Sequence, residues 1–277
     1  MDTVVSQDGT PIAYERRGEG PTLVLVGGAM TTGEHAAPLA GLLAGDFAVV
    51  TYDRRGRGRS GDTRPYTVHR EVEDLAKVVG AVGAPAALYG VSSGAALALH
   101  AASAGLPVSR IALYEPPFTI GEADPSRREA YRSRLVALLA ADDRGGAVEL
   151  FMTHIGLTPE MIAGARQSPA WPGLEAVAPT LAYDDEVLGD GGPPLDRLAL
   201  VSVPTLVMAG SASPPAMGEA ARTVAGALPD AEYRELDGQT HDVAPEAVAA
   251  SAVPVPVAAA SVAVRPVPVA AVVPASA

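Results

Sequence analysis

Ala87–His100 reads ALYGVSSGAALALH. A short apolar run ends at Gly90, a serine pair follows, and Gly94 opens an alanine- and leucine-rich run. Gly90-Val91-Ser92-Ser93-Gly94 fits the pattern G-x-S-x-G, and it lies between a predicted strand and a predicted helix, the setting in which that pattern holds a nucleophile. The physical need is specific. A serine on a strained turn has its hydroxyl pushed out of the sheet. Glycines two residues to either side let strand and helix pack without Cβ clashes. The N–H of Ser93, at the helix start, faces a developing oxyanion. The alternative is a plain glycine–serine turn, since both residues are common in turns. If Ser92 is a nucleophile, the rest of the chain must supply a base, an acid and a further oxyanion donor.

The flanks alternate short β-rich runs with longer helical ones, the signature of a mostly parallel sheet with helices on both faces. PIAYERRG from Pro11 alternates after the QDGT turn and reads as an early hairpin strand. PTLVLVGG from Pro21 and FAVVTYD from Phe47 are the continuous apolar runs of buried strands. Between them HAAPLAGLLAG reads as a helix ending at Gly45. TVHREVEDLAKVVGAVG from Thr67 sets Val72, Leu75, Val79 and Val82 on one helical face. RIALYEPPF from Arg110 is a strand stopped by two prolines. VPTLVMAGS from Val203 and AEYRELDG from Ala231 are two more, with the helix PPAMGEAARTVAGALP between them.

The stretch from Tyr114 to Thr205 holds helical patterns, such as SRREAYRSRLVALLAADD and GGAVELFMTHIG, and no convincing strand. An inserted helical cap accounts for it better than one long loop. The domain reading is therefore a core of residues 1–115 and 201–250, a helical cap of 116–200, and a Pro/Ala/Val-rich tail of 251–277. The tail has five prolines, one charge (Arg265) and no fixed period, and is expected to be disordered or loosely extended.

Composition narrows the function. The net charge of −12 disfavours nucleic acid and anionic lipid. No cysteine is present, so disulfides and thiolate chemistry are excluded. The N-terminal stretch lacks the apolar core of a signal peptide, and no unbroken apolar run of about 18 residues precedes residue 250. The expectation is a cytoplasmic protein acting on a small-molecule substrate, without nucleic acid, membrane, metal or cofactor; a homodimer is left open.

From about residue 3 to 248 the chain resembles the α/β-hydrolase fold superfamily. LVLVGGAM resembles its oxyanion-hole strand and loop, YDRRGRGRSG its D-x-R-G-x-G-x-S loop, YGVSSG its nucleophile elbow, PTLVMAGSASP its penultimate strand and LDGQTHDV its histidine loop. The resemblance implies that Ser92 is the nucleophile and His241 the general base, in the order Ser…acid…His. A neutral imidazole can take the serine proton and return it to the leaving group. His69 and His100 sit within predicted helices and His154 in the cap, while His35 follows the oxyanion loop and could line the pocket. The oxyanion hole should join the Ser93 N–H to one from Gly28 or Ala29. Val26 stands where the family usually has a histidine before the glycines.

The acid departs from the pattern. The family's usual position, after the penultimate strand, holds Ser213, which cannot carry the charge that stabilises an imidazolium. Some members, including the haloalkane dehalogenase subgroup, take the acid from the end of the strand after the nucleophile helix. Here that is Glu115, whose strand should open onto the same crevice. Asp242 is the fallback, and Asp237, Asp184 and Asp185 are weaker. Asp53 and Arg55 of the arginine-rich loop are expected to be paired or hydrogen-bonded near the sheet top, with no part in catalysis. The resulting reading is a cofactor-free serine hydrolase (carboxylesterase- or lactonase-like) that cleaves a small to medium neutral ester or lactone. Its alternatives are a non-catalytic ligand-binding or scaffold member, or a carbon–carbon bond hydrolase or perhydrolase on the same residues.

Overall fold

A computed structural model describes residues 1–121 and 125–252. The chain begins with strands β1 (Asp2–Val5), β2 (Pro11–Arg17) and β3 (Thr22–Val26), then a 3₁₀ turn at Gly33–Ala36 and helix α1 (Ala37–Leu43). Next come β4 (Ala48–Tyr52), α2 (Val68–Val82), β5 (Ala86–Val91), α3 (Ser93–Ser103) and β6 (Val108–Tyr114). Six helices follow before the next strand: α4 (Pro125–Ala140), α5 (Arg144–His154), α6 (Pro159–Arg166), α7 (Trp171–Val177), α8 (Leu181–Leu188) and α9 (Leu195–Leu198). The chain then returns to the sheet through β7 (Thr205–Gly210), α10 (Pro215–Ala227), β8 (Ala231–Leu236) and α11 (Pro245–Ala252). The tail reading from residue 253 onward lies outside the described residues.

The eight strands form one sheet in the order β1-β2-β4-β3-β5-β6-β7-β8. β1 and β2 are an antiparallel hairpin, β2 meets β4 antiparallel, and every other pairing is parallel. β4 is buried at every position, as a run of Ala and Val between two helix layers must be. One apolar layer joins the sheet to α2, α3 and α10, and a second joins it to α1 and α11. The inserted helices carry their own cluster around Tyr131, Leu135, Val148, Trp171 and Leu181.

Helix α2 shows where an apolar-face reading falls short. It starts on Thr67, whose hydroxyl accepts from the Arg70 N–H at 3.3 Å, and its chain reverses at Gly83 with φ 99°. Its buried face holds Leu75, Val78 and Val79, but also Glu71 and Asp74. Two carboxylates under a sheet require buried cations, and these come from the loop after β4.

Register sets the place of the site. Val26 of β3 is level with Gly90 of β5, Val91 with Tyr114 of β6, Tyr114 with Met208 of β7, and Gly210 with Leu236 of β8. The loops that leave these strands therefore meet along one C-terminal edge, the usual crevice of an open parallel sheet.

Candidate active site

Ser92 is the turn between β5 and α3, with φ 55° and ψ −128°. A non-glycine residue there is strained by about 1–3 kcal/mol, and the surroundings show what enforces it. A Cβ on Gly90 would sit 2.6 Å from the Gly94 carbonyl oxygen, and one on Gly94 would sit 2.6 Å from the Gly27 oxygen. Strand, helix and the loop after β3 are thus in backbone contact, and the Ser92 N–H is tied to the Tyr114 carbonyl at 2.9 Å. Among the described residues four non-glycine residues have positive φ: Met30, Ser92, Glu115 and Asp142. Three of them lie at this one edge, as expected where strain serves a function.

The loop after β3 comes against the serine: a Cβ on Gly28 would be 3.0 Å from Ser92 Cβ and 3.6 Å from its Oγ. No hydrogen bond within the described residues takes the N–H groups of Gly28, Ala29 or Ser93. For Ser93 this follows from its place in the first turn of α3. Three donors therefore remain unbonded in the loop that meets Ser92 and at the start of α3.

On the other side of Ser92, β6 ends at Tyr114 and the two prolines after Glu115 prevent it from continuing. Glu115 is fully buried, and its Oε2 is 2.7 Å from His241 Nδ1 while its Oε1 accepts the Gly210 N–H at 2.8 Å. Burial by itself would raise the pKa of this carboxyl. The bonds from His241 and the Gly210 N–H, with the Ser213 hydroxyl close by, outweigh that and hold it below the usual glutamate value. An ionised carboxylate only accepts, so Nδ1 of His241 is the donor and Nε2 is left with its lone pair. The histidine loop is fastened by Tyr114, whose hydroxyl donates to the Thr240 carbonyl at 2.6 Å, and by the Ala212 N–H bonded to the Gln239 carbonyl at 2.9 Å.

Ser213 occupies the place where the family usually has its acid. Its buried hydroxyl lies beside Glu115 and Tyr114 without a hydrogen bond of regular geometry. The carboxylate thus arrives from β6, and a small side chain fills the position after β7. Among the described residues no hydrogen bond joins Ser92 Oγ to His241; contacts of this kind often tighten only when substrate binds.

The remaining candidates have other occupations. Asp185 pairs with Arg128 at 2.8 Å and with Arg132 at 2.6 Å. The Ser211 hydroxyl approaches Asp237 at 3.4 Å. His35 is exposed and accepts the Thr32 N–H at 3.1 Å. His100 Nε2 bonds the Val187 carbonyl at 2.9 Å, and His154 stacks on Tyr131. Asp53 and Arg55 are both hydrogen-bonded near the sheet top, but to different partners. Asp53 accepts the N–H groups of Gly33 and Arg59, while Arg55 pairs with Asp74 at 2.6 Å and Asp8 at 3.0 Å.

What sequence reading missed is the role of Arg54 and Arg57. Both are buried. Arg54 holds Glu71 through two bonds, at 2.5 and 3.0 Å, and Asp184 at 2.8 Å; Arg57 holds Asp184 at 2.7 Å. Burial would push the pKa of Asp184 up, but the charges of Arg57 and Arg54 hold it below the usual aspartate value. The one available signal was Glu71 and Asp74, acids one turn apart on an otherwise apolar helix face, opposite an arginine-rich loop.

Residues 23–251 match the sequence profile of the Alpha/beta hydrolase family, and the chain belongs to that family. It is 50% identical to an alpha/beta hydrolase from Sphaerobacter thermophilus DSM 20745, with 91% of this chain and 98% of that one covered and a TM-score of 0.84. A thermophilic esterase from Thermogutta terrifontis, at 21% identity, shares the fold over 91% of this chain and 96% of its own, with a TM-score of 0.72. The uncharacterized hydrolase YraK of Bacillus subtilis (strain 168) is 36% identical over 95 residues, which span 33% of this chain and 35% of that protein. Among the described residues no helix is long and apolar enough to cross a membrane, and no group of three or more His, Cys, Asp or Glu could hold a metal ion.

Proposed function

We propose that this protein is a serine hydrolase that cleaves a small to medium neutral ester or lactone through an acyl-enzyme on Ser92. The observation that carries this reading is the 2.7 Å bond between His241 and the buried carboxylate of Glu115, on the same sheet edge as the strained Ser92. His241 Nε2 takes the Ser92 proton as Oγ bonds to the substrate carbonyl carbon. The carbonyl oxygen becomes an oxyanion facing the N–H groups of Gly28 or Ala29 and Ser93. Collapse breaks the carbon–oxygen bond to the leaving group, and His241 returns the proton to the departing alkoxide. Water then repeats the sequence on the acyl-enzyme, releasing the acid and restoring the serine. Glu115 holds the tautomer and stabilises the transient imidazolium.

The neutral-substrate part of the reading is supported by the charges around the oxyanion loop. Arg54 and Arg57 are matched by Glu71 and Asp184, so neither guanidinium is left over to clamp a substrate carboxylate. The test is a panel of p-nitrophenyl esters of increasing acyl length, together with simple lactones, compared between the wild type and Ser92→Ala. Turnover on neutral short to medium substrates that vanishes in the variant is expected. A folded wild type inactive across the panel overturns the reading in favour of a non-catalytic member of the fold.

A further inference from the structure

We propose that Asp184, on α8 of the inserted helices, is the positioning residue of the oxyanion hole: it locks Arg54, Arg57 and Ser93 so that both backbone donor sites face the Ser92 hydroxyl. The inference rests on the serine-hydrolase reading above and adds a residue that acts through its neighbours, Ser93 among them.

The geometry runs through one carboxylate. Its Oδ1 accepts from Arg54 Nη1 at 2.8 Å and from the Ser93 hydroxyl at 2.7 Å, and its Oδ2 accepts from Arg57 Nη2 at 2.7 Å. Each arginine then reaches a carbonyl of the oxyanion loop. Arg54 Nη1 donates to the Gly27 oxygen at 3.2 Å, and Arg57 Nη1 donates to the Gly28 oxygen at 2.5 Å and to the Thr31 oxygen at 3.3 Å. In a trans peptide the C=O of one residue and the N–H of the next point in opposite directions. Holding the Gly27 carbonyl toward Arg54 therefore turns the Gly28 N–H the other way, and holding the Gly28 carbonyl toward Arg57 does the same for the Ala29 N–H. A carbonyl bonded to a cation also polarises its peptide, which strengthens that N–H as a donor. On the opposite side of the serine, the bond from Ser93 Oγ to the same carboxylate fixes the residue whose N–H is the second donor site.

The arrangement is buried and balanced. Arg54, Arg57, Ser93 and Asp184 are each at most 4% exposed. Glu71 completes the charge balance on Arg54, and Thr180 accepts from Arg57 Nε at 3.0 Å. Because α8 belongs to the helices between β6 and β7, the seating of that segment and the aim of the oxyanion donors are one event. Asp185, the next residue on the same helix, supplies an internal control. It is also buried in an ion pair, but with Arg128 and Arg132, and it has no link to the oxyanion loop.

The experiment compares wild type, Asp184→Asn, Ser93→Ala and Asp185→Asn by kcat and KM on p-nitrophenyl butyrate, with thermal melting to fix the folded fraction. Loss of a whole oxyanion donor costs about 10²–10³-fold in kcat. Misaimed donors should cost part of that. Asp184→Asn is expected to lower kcat by about 10- to 100-fold with KM within about threefold. Ser93→Ala, which severs one strand of the lock, is expected to lower kcat by about 3- to 10-fold. Asp185→Asn is expected to melt earlier with kcat within about twofold per folded molecule. An Asp184→Asn protein that melts earlier but keeps parental kcat overturns the proposal and leaves the ester reading standing, as does an equal loss of kcat in Asp185→Asn. If Asp184→Asn does not fold, parental kcat in Ser93→Ala overturns it instead. A folded wild type with no turnover overturns the ester reading, and this proposal with it.

Discussion

On the β6–β8 side of the site, a histidine whose side chain is 44% exposed is steered by one buried carboxylate. On the β3–β5 side, two arginines and two acids lie below the surface and hold the carbonyls of the loop after β3. In the proposed mechanism the first side needs a group that can gain and lose a proton, which fits its exposure to solvent. The second needs dipoles that do not move when charge develops, and a low-dielectric ion network supplies that rigidity. The same contrast governs what mutations should do. Changes on the histidine side should remove chemistry and spare the fold, whereas changes in the arginine network should cost stability as well.

The largest effect is expected at Ser92, the proposed nucleophile. Ser92→Ala should lower kcat/KM by on the order of 10⁴-fold or more in an ester assay while the protein stays folded. Glu115→Gln should follow, at on the order of 10³- to 10⁴-fold, because the amide can leave the imidazole in the wrong tautomer. Parental turnover in Glu115→Gln would show that the acid comes from elsewhere. In the network, Glu71→Gln leaves Arg54 short of one buried partner and should destabilise the fold by about 3 kcal/mol or more in urea titrations; an unchanged midpoint would mean that the ion pair is not a stabilising element. The smallest effect has the opposite sign. Ser92→Gly should stabilise by roughly 1 kcal/mol, since glycine adopts φ 55° without strain.

Acid should test both sides together. Glu115, Glu71 and Asp184 all have pKa values held below the ordinary carboxylate range. A depressed folded pKa contributes stability above the unfolded value, which is lost as pH falls through the folded one. The urea midpoint should therefore drop below about pH 4.5, near the ordinary glutamate value of 4.5. Asp74, raised mainly by burial, works the other way, since its contribution is present at low pH and lost as pH rises. A midpoint flat from pH 6 to 3 would contradict the pairing of these acids.

The fold and half of the candidate site were legible because their signals are local. G-x-S-x-G needs only five adjacent residues; Gly90 is dictated by the backbone of its own turn, and Gly94 by the carbonyls at the end of β3. Glu115 could be read from a strand end and two prolines, because parallel register brings strand ends to one edge. The network was not legible for the opposite reason. Asp184 lies far along the chain from Arg54 and Arg57, and nothing local distinguishes it from Asp185. Arg54 and Arg55 are adjacent, yet one turns to Glu71 and the other to Asp74. Only the packing of α2 and α8 against the loop after β4 decides which acid meets which arginine. For the same reason Ser213 read as a gap in the triad, whereas the structure shows a small side chain beside a carboxylate delivered from the neighbouring strand.

The most direct test of the account is the intact mass of the wild type after reaction with a fluorophosphonate, followed by peptide mapping. Phosphonylation releases fluoride and leaves the phosphonyl group on an activated serine. One adduct per chain is expected, on the peptide that contains Ser92, absent in Ser92→Ala and formed much more slowly in Glu115→Gln. A folded wild type that gains no adduct, or gains it on a serine other than Ser92, would contradict the assignment of Ser92, His241 and Glu115 as a working triad.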